Sequence, residues 1–167
     1  MYYLLCLVCA LVYLTIPTAT GRIVNLSGGT YATQSSVYGN KVAEKAVDGR
    51  KSGNMNDGSC THTENQAVNW WKVDLGKHFK IKYVRLYNRQ DCCKERLNGA
   101  NIRVGNNTYG WLTNPQCGGV VTIADINNSN VISRQCTPEI IGRYVSVSLS
   151  HEYLSLCEVE VWGDDGN

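Results

Sequence analysis

A chain of 167 residues, 43% hydrophobic and 18% charged, has room for one domain with a real core and is too apolar to be an intrinsically disordered segment. The formal net charge of +2 comes without any run of basic residues, which excludes the electrostatic footprint of a nucleic-acid or other polyanion binder.

Residues 1–20 differ from the rest. Tyr2 to Ile16 is apolar apart from Thr15, and Thr18, Ala19 and Thr20 supply small residues ahead of Gly21. Although no Lys or Arg stands near the start, the run is too short to span a bilayer comfortably and fits a secretory signal peptide. The expectation is a secreted domain over residues 21–167, with no membrane insertion. Cleavage removes Cys6 and Cys9 and leaves Cys60, Cys92, Cys93, Cys117, Cys136 and Cys157. Six cysteines in an exported chain imply a disulfide framework whose connectivity cannot be deduced from spacing. No Cys or His spacing suits zinc. Sequons at Asn25, Asn106 and Asn127 are compatible with export and predict a glycoprotein.

In chain order, residues 23–26 open the mature domain, and residues 29–36, rich in Ser and Thr, read as a strand or an extended arm. Val42, Ala43, Ala46 and Val47 fall at helical spacing within residues 41–47, predicting one short helical segment, the chain's single helix, before Asp48-Gly49. Residues 50–63 hold Gly, Asn, Asp and Ser in abundance and read as a long loop carrying Cys60 and His62. Strands follow over residues 68–76, with Trp71, Val73 and Leu75 on the buried face, then 81–88, 100–105, 120–123, 130–133, 144–149 and 156–162. Short strands between turn signals indicate an all-β sandwich, with no internal repeat and no linker to a second domain.

The densest chemistry lies in residues 88–96, where Arg89, Asp91, Cys92, Cys93 and Arg96 fall within nine residues. Arg89 and Asp91, two apart at a strand end, project to one side, so the carboxylate can hold the guanidinium. A turn through Cys92 to Glu95 would swing Arg96 back to the same carboxylate. Adjacent Cα atoms sit about 3.8 Å apart, below the usual separation for a disulfide, so ordinary geometry favours distant partners for Cys92 and Cys93. The alternative is a strained ring closed between neighbours, a stiff apolar plate beside the donors.

These residues resemble the F-type lectins, a family of fucose-binding lectins. His62 is followed by 26 residues, then Arg89-Gln90-Asp91, four residues and Arg96. Ala46-Val47-Asp48-Gly49 and the stretch from Trp71 to Gly76 are similar to the family's framework, and the likeness runs over residues 25–162. It implies an all-β jelly roll of the discoidin-like type. It further implies that His62, Arg89 and Arg96 hydrogen-bond a terminal L-fucose, that Asp91 orients both arginines, and that Cys92-Cys93 form a vicinal disulfide against an apolar sugar edge. That reverses the expectation from spacing alone. The same resemblance pairs Cys60 with Cys157 and Cys117 with Cys136. It implies a structural Ca²⁺ held by side chains of Asp48, Ser59 and Glu158 and backbone oxygens of Lys45, Arg50 and Cys157, an all-oxygen set that suits a hard cation.

The implied function is a non-enzymatic lectin for fucosylated glycans, a homo-oligomer if it agglutinates, serving innate immune recognition by analogy. A discoidin-like adhesion or lipid-binding module would have no use for three converging cationic side chains. A hydrolase using His62 with Glu64 or Asp91 would lack both a nucleophile elbow and a zinc motif. A glycosidase pair built on Asp91 is disfavoured because flanking arginines lower the pKa of a would-be proton donor.

Overall fold

The computed structural model describes residues 21–165. The predicted signal peptide lies outside the described residues. Six strands carry the fold: β1 (Ile23–Asn25), β2 (Tyr31–Gln34), β3 (Val68–Tyr87), β4 (Asn101–Gly105), β5 (Val131–Ser150) and β6 (Glu158–Asp164). All pairings are antiparallel.

β3 and β5 form one long ribbon, with Val68 opposite Ser150 at one end and Tyr87 opposite Val131 at the other. Register shifts between Asp74 and Phe79 and between Ile81 and Tyr83 interrupt it, and extra residues in one strand bend a ribbon and increase its twist. The two halves then recruit different neighbours. β2 pairs with β3 over Trp71 to Asp74 and β4 with β5 over Tyr144 to Ser148, giving one four-stranded layer. β6 pairs with β3 over Lys80 to Tyr87, and β1 adds to β6, giving the second. The result is the expected all-β sandwich, a jelly roll of the discoidin type, with very little helix.

Alternation in the strands builds the core. Trp71, Val73 and Leu75 are buried as predicted, facing Val145, Val147 and Leu149 in the same layer and Val84, Leu86, Val159 and Val161 from the other. The fully buried Trp71 donates its indole N–H to the Ala43 carbonyl at 2.9 Å, so its one polar atom is not left unpaired.

Three sequence expectations change. The helical segment before Asp48 is a 3-10 turn, Ala43–Ala46, and the α-helix lies elsewhere, at α1 (Ile123–Asn128). No strand forms over residues 120–123. There Thr122 accepts the Asp125 backbone N–H while Asp125 takes the Thr122 N–H at 2.8 Å, a reciprocal cap that starts a helix and buries Ile126. The strands read separately at 68–76 and 81–88, and at 130–133 and 144–149, are the halves of β3 and β5. The disulfides are those the family resemblance implied: Cys92–Cys93, Cys60–Cys157 and Cys117–Cys136. No helix among the described residues is long and apolar enough to cross a membrane.

Candidate functional site

The segments before Val68 and after Tyr87, the two ends of β3, build one cavity together. Arg89 leaves the end of β3 in a segment locked on both sides. The buried Asn88 takes its N–H to the Asn130 carbonyl at 3.0 Å and donates its amide to the Lys94 carbonyl at 2.8 Å, while Gln90 N–H reaches Gly53 at 2.7 Å. Closing the loop from 88 to 94 in this way leaves Cys93 in the left-handed region at φ 58° and starts the 3-10 turn Lys94–Leu97, which carries Arg96. Burial of Leu97 anchors that turn to the core.

His62 comes from the far end of the long loop, whose last residues, 59–63, are buried. Thr61 N–H donates to Leu156 and Thr63 N–H to Leu154, and the two threonine hydroxyls accept the Leu156 and Leu154 N–H groups in return. The Cys60–Cys157 bridge fastens the same segment. His62 itself is 6% exposed, its ring between those of Tyr38 and Tyr153 at centroid distances of 5.0 and 5.3 Å.

The cavity, about 420 Å³, gathers His62, Arg89, Cys92, Cys93 and Arg96 on its wall. Asp91 stands behind it. Its carboxylate accepts Arg89 Nε at 3.0 Å and Nη2 at 2.7 Å, and also the Met55 backbone N–H at 3.0 Å. The Arg89 guanidinium, with the Met55 N–H, holds Asp91 at a pKa of about 2, so it stays ionised and a bidentate anchor at any physiological pH. Arg96 does not share that carboxylate, contrary to expectation. Its Nε stands 3.5 Å from Glu152, and its guanidinium lies over the Tyr153 ring at 4.9 Å. Each arginine therefore has its own carboxylate and keeps outward donors free.

Burial lowers the pKa of His62, and the charges of Arg89, Arg96 and Lys41 lower it further. Its Nδ1 lies 2.7 Å from the Thr63 carbonyl, which can only accept, so the single proton of the neutral ring sits on Nδ1. Nε2 is left as an acceptor. The cavity thus holds one lone pair among several cationic donors, where the sequence reading had counted the imidazole among three cationic side chains.

Tyr38, Lys41, Met55, Asn56 and Tyr153 also line the cavity and were not foreseen. Only Met55 carried a signal, as a lone large apolar residue in a loop of Gly, Asn and Asp.

The sequence model of the NedA-like, galactose-binding domain family matches residues 45–147. Fucolectin-6 of Anguilla japonica is 44% identical over 120 residues, 71% of this chain and 62% of its own length. A crystal structure of a serum f-lectin (fucolectin) from striped bass, Morone saxatilis, superposes with TM-score 0.77 at 37% identity over 85% of this chain and 49% of its own. A Streptococcus pneumoniae fucose binding module does so with TM-score 0.73 at 34% identity, over 84% of this chain and 96% of its own. The chain belongs to the F-type lectin family. The relatives it matches are named as fucolectins and a fucose binding module. This F-type lectin spans less than two thirds of the length of the eel and striped bass proteins.

Beside the cavity, the oxygens expected to hold a cation suit one chemically. Glu158 is 1% exposed, and its Oε2 is buried without a hydrogen-bond partner. Burial and the neighbouring Asp48 push its pKa up to about 8, against the Gly49 N–H, which lowers it. A buried, unsatisfied carboxylate beside a second carboxylate is what a hard cation would relieve. Among the described residues no three His, Cys, Asp or Glu side chains converge, so such an ion would depend on Ser59 and on backbone oxygens as well. Ser59 Oγ donates to the Ser52 carbonyl at 2.9 Å, which leaves its lone pairs available.

Proposed function

We propose that the protein is a secreted lectin that binds terminal L-fucose on glycans through the cavity of His62, Arg89 and Arg96. One observation carries this: a histidine acceptor, two separately anchored guanidinium groups and a vicinal disulfide all face a single cavity the size of a small-molecule site. A sugar hydroxyl both donates and accepts. Placed between His62 Nε2 and the guanidinium groups it would donate to the first and accept from the second, satisfying all three partners at once. The Cys92-Cys93 plate offers an apolar surface for a C–H edge of the ring. Tyr38 and Met55, which line the same cavity, would supply an apolar niche for the C6 methyl. A hydroxymethyl group there would have to shed its water, so a 6-deoxy sugar is preferred over galactose. The names of the eel, bass and pneumococcal relatives, two fucolectins and a fucose binding module, support the same ligand.

Calcium, held by Asp48, Ser59 and Glu158 with backbone oxygens of Lys45, Arg50 and Cys157, would act as a structural ion. When bound it supplies charge neutralisation for two carboxylates and ties the loop before His62 to the start of β6. Homo-oligomerisation would turn one site per chain into avidity for glycan-bearing surfaces, and recognition of microbial glycans in innate immunity is the outcome we infer. Occupied sequons would make the secreted chain a glycoprotein.

The test is a glycan array probed with the wild type and with Arg89→Ala. A fucose-selective signal that disappears in the variant is expected. A wild type without fucose selectivity, or a variant that keeps it, contradicts the assignment.

A further inference from the structure

Three cationic side chains stand on the cavity wall: Lys41, Arg89 and Arg96. Each arginine is backed by a carboxylate, Asp91 at 2.7 Å and Glu152 at 3.5 Å. Lys41 has none. Among the described residues its amine forms no ion pair, and it lies over the Tyr38 ring, 5.7 Å from the centroid.

Its position is nevertheless fixed by the fold. Lys41 N–H donates to the Tyr38 carbonyl at 3.3 Å, and its own carbonyl accepts both the His62 N–H at 3.2 Å and Gln34 Nε2 at 3.0 Å. The residue is therefore tied to the segment that places His62, and its charge is felt there, helping to keep that imidazole neutral. A neutral pyranose would satisfy the histidine and the two arginines and leave this third charge without a counter-charge. Lysine is a compact, strongly hydrated point charge with three donors, suited to an anionic group that arrives from several directions.

We propose that the site takes fucosides bearing an anionic substituent close to the fucose, a sulfate ester or a carboxylate, and that Lys41 is the residue that recognises it. This rests on the fucose assignment and narrows it. An ion pair at a cavity rim is worth a modest factor, roughly 2- to 10-fold in affinity at low salt. That factor is screened away as the Debye length falls to about 3 Å near 1 M salt.

The experiment measures dissociation constants of the mature chain for one neutral α-L-fucosyl trisaccharide, its sulfate ester and its sialylated derivative, at low and high salt. Wild type, Lys41→Gln and Lys41→Arg are compared, with melting temperatures confirming that each is folded. The wild type is expected to prefer at least one anionic form at low salt, and which one identifies the source of the charge. In Lys41→Gln the ratio of anionic to neutral affinity falls to about one, and Lys41→Arg restores it. Equal affinity of the wild type for all three sugars overturns the inference, as does a preference that survives in Lys41→Gln. If the wild type binds none of them, the fucose assignment itself falls; if it binds the neutral sugar without preferring a charged one, only the role of Lys41 does.

Discussion

Because Nδ1 of His62 is committed to the Thr63 carbonyl, the binding role of this residue depends on the other nitrogen staying unprotonated. Its pKa lies below the ordinary 6.5, so above that pH the ring is neutral and Nε2 accepts. As pH falls through the lowered value, Nε2 takes a proton, and an acceptor becomes a third cation beside two guanidinium groups. Affinity for a fucoside is therefore expected to hold from pH 8 to 6.5 and to fall on further acidification, measured by calorimetry. In His62→Gln that dependence should vanish; affinity that instead rises in acid would mean the imidazolium is the binding form. Arg89 makes a second residue-scale test. Removing charge-assisted bonds costs about 1.5–3 kcal/mol each, so Arg89→Ala should weaken binding roughly 10- to 100-fold. Arg89→Lys should recover little of it, since a point charge cannot keep the two-pronged hold on Asp91 and also face the cavity. The two arginines stood out in the sequence by their density around Asp91, and His62 through the family resemblance. Their partners did not. Glu152 and Tyr153, which position Arg96, lie more than fifty residues downstream, and only the fold brings them close.

At the scale of elements, what holds the site is a pair of buried segments, residues 59–63 and 154–157, laced by four hydrogen bonds and a disulfide. The Cys60–Cys157 bridge joins positions 97 apart, and a loop of about 100 residues is worth about 4.7 kcal/mol in the chain-entropy account. Replacing both cysteines with serine should lower stability by up to that amount in urea titrations, whereas unchanged stability would show the hydrogen bonds suffice. The unsatisfied carboxylate of Glu158 gives a second test. Adding Ca²⁺ to chelator-treated protein should raise the melting temperature, and Glu158→Gln should abolish the increment. An equal increment in that variant would remove Glu158 from the ion's ligands. Legibility differs sharply between elements. Alternation identified both halves of β3 and the second half of β5, because a strand buried on one face leaves that trace. Continuity through the bend left none, since Gly76 and Gly142 look like ordinary breaks. The α1 helix was misread because Val120, Val121 and Ile123 favour strands, although Thr122 and Asp125 already carried the spacing of a reciprocal cap.

For the whole molecule, a single meeting of His62, Arg89 and Arg96 among the described residues sets the expected stoichiometry. Calorimetric titration with a monovalent fucoside should give one site per chain, and prolonged incubation should return the sugar intact, as befits a lectin. Two sites per chain, or turnover, would contradict this account. Agglutination of fucose-coated particles should track the number of chains held together and be lost on dilution to monomers, while binding of the free sugar persists.

Strands β1 and β6 lie side by side, with Ile23 opposite Asp164, while Glu158, at the other end of β6, lies opposite Tyr87, two residues before Arg89 of the cavity. Six residues of extended chain separate those ends, about 20 Å at 3.3 Å per residue. The outer ends of β1 and β6 thus meet at a common corner, remote from the end of β6 that lies against Tyr87. Copies strung head to tail, or a domain grafted at either side, would meet at that corner and leave every cavity unobstructed, so valency can be raised by concatenation without redesigning the lectin.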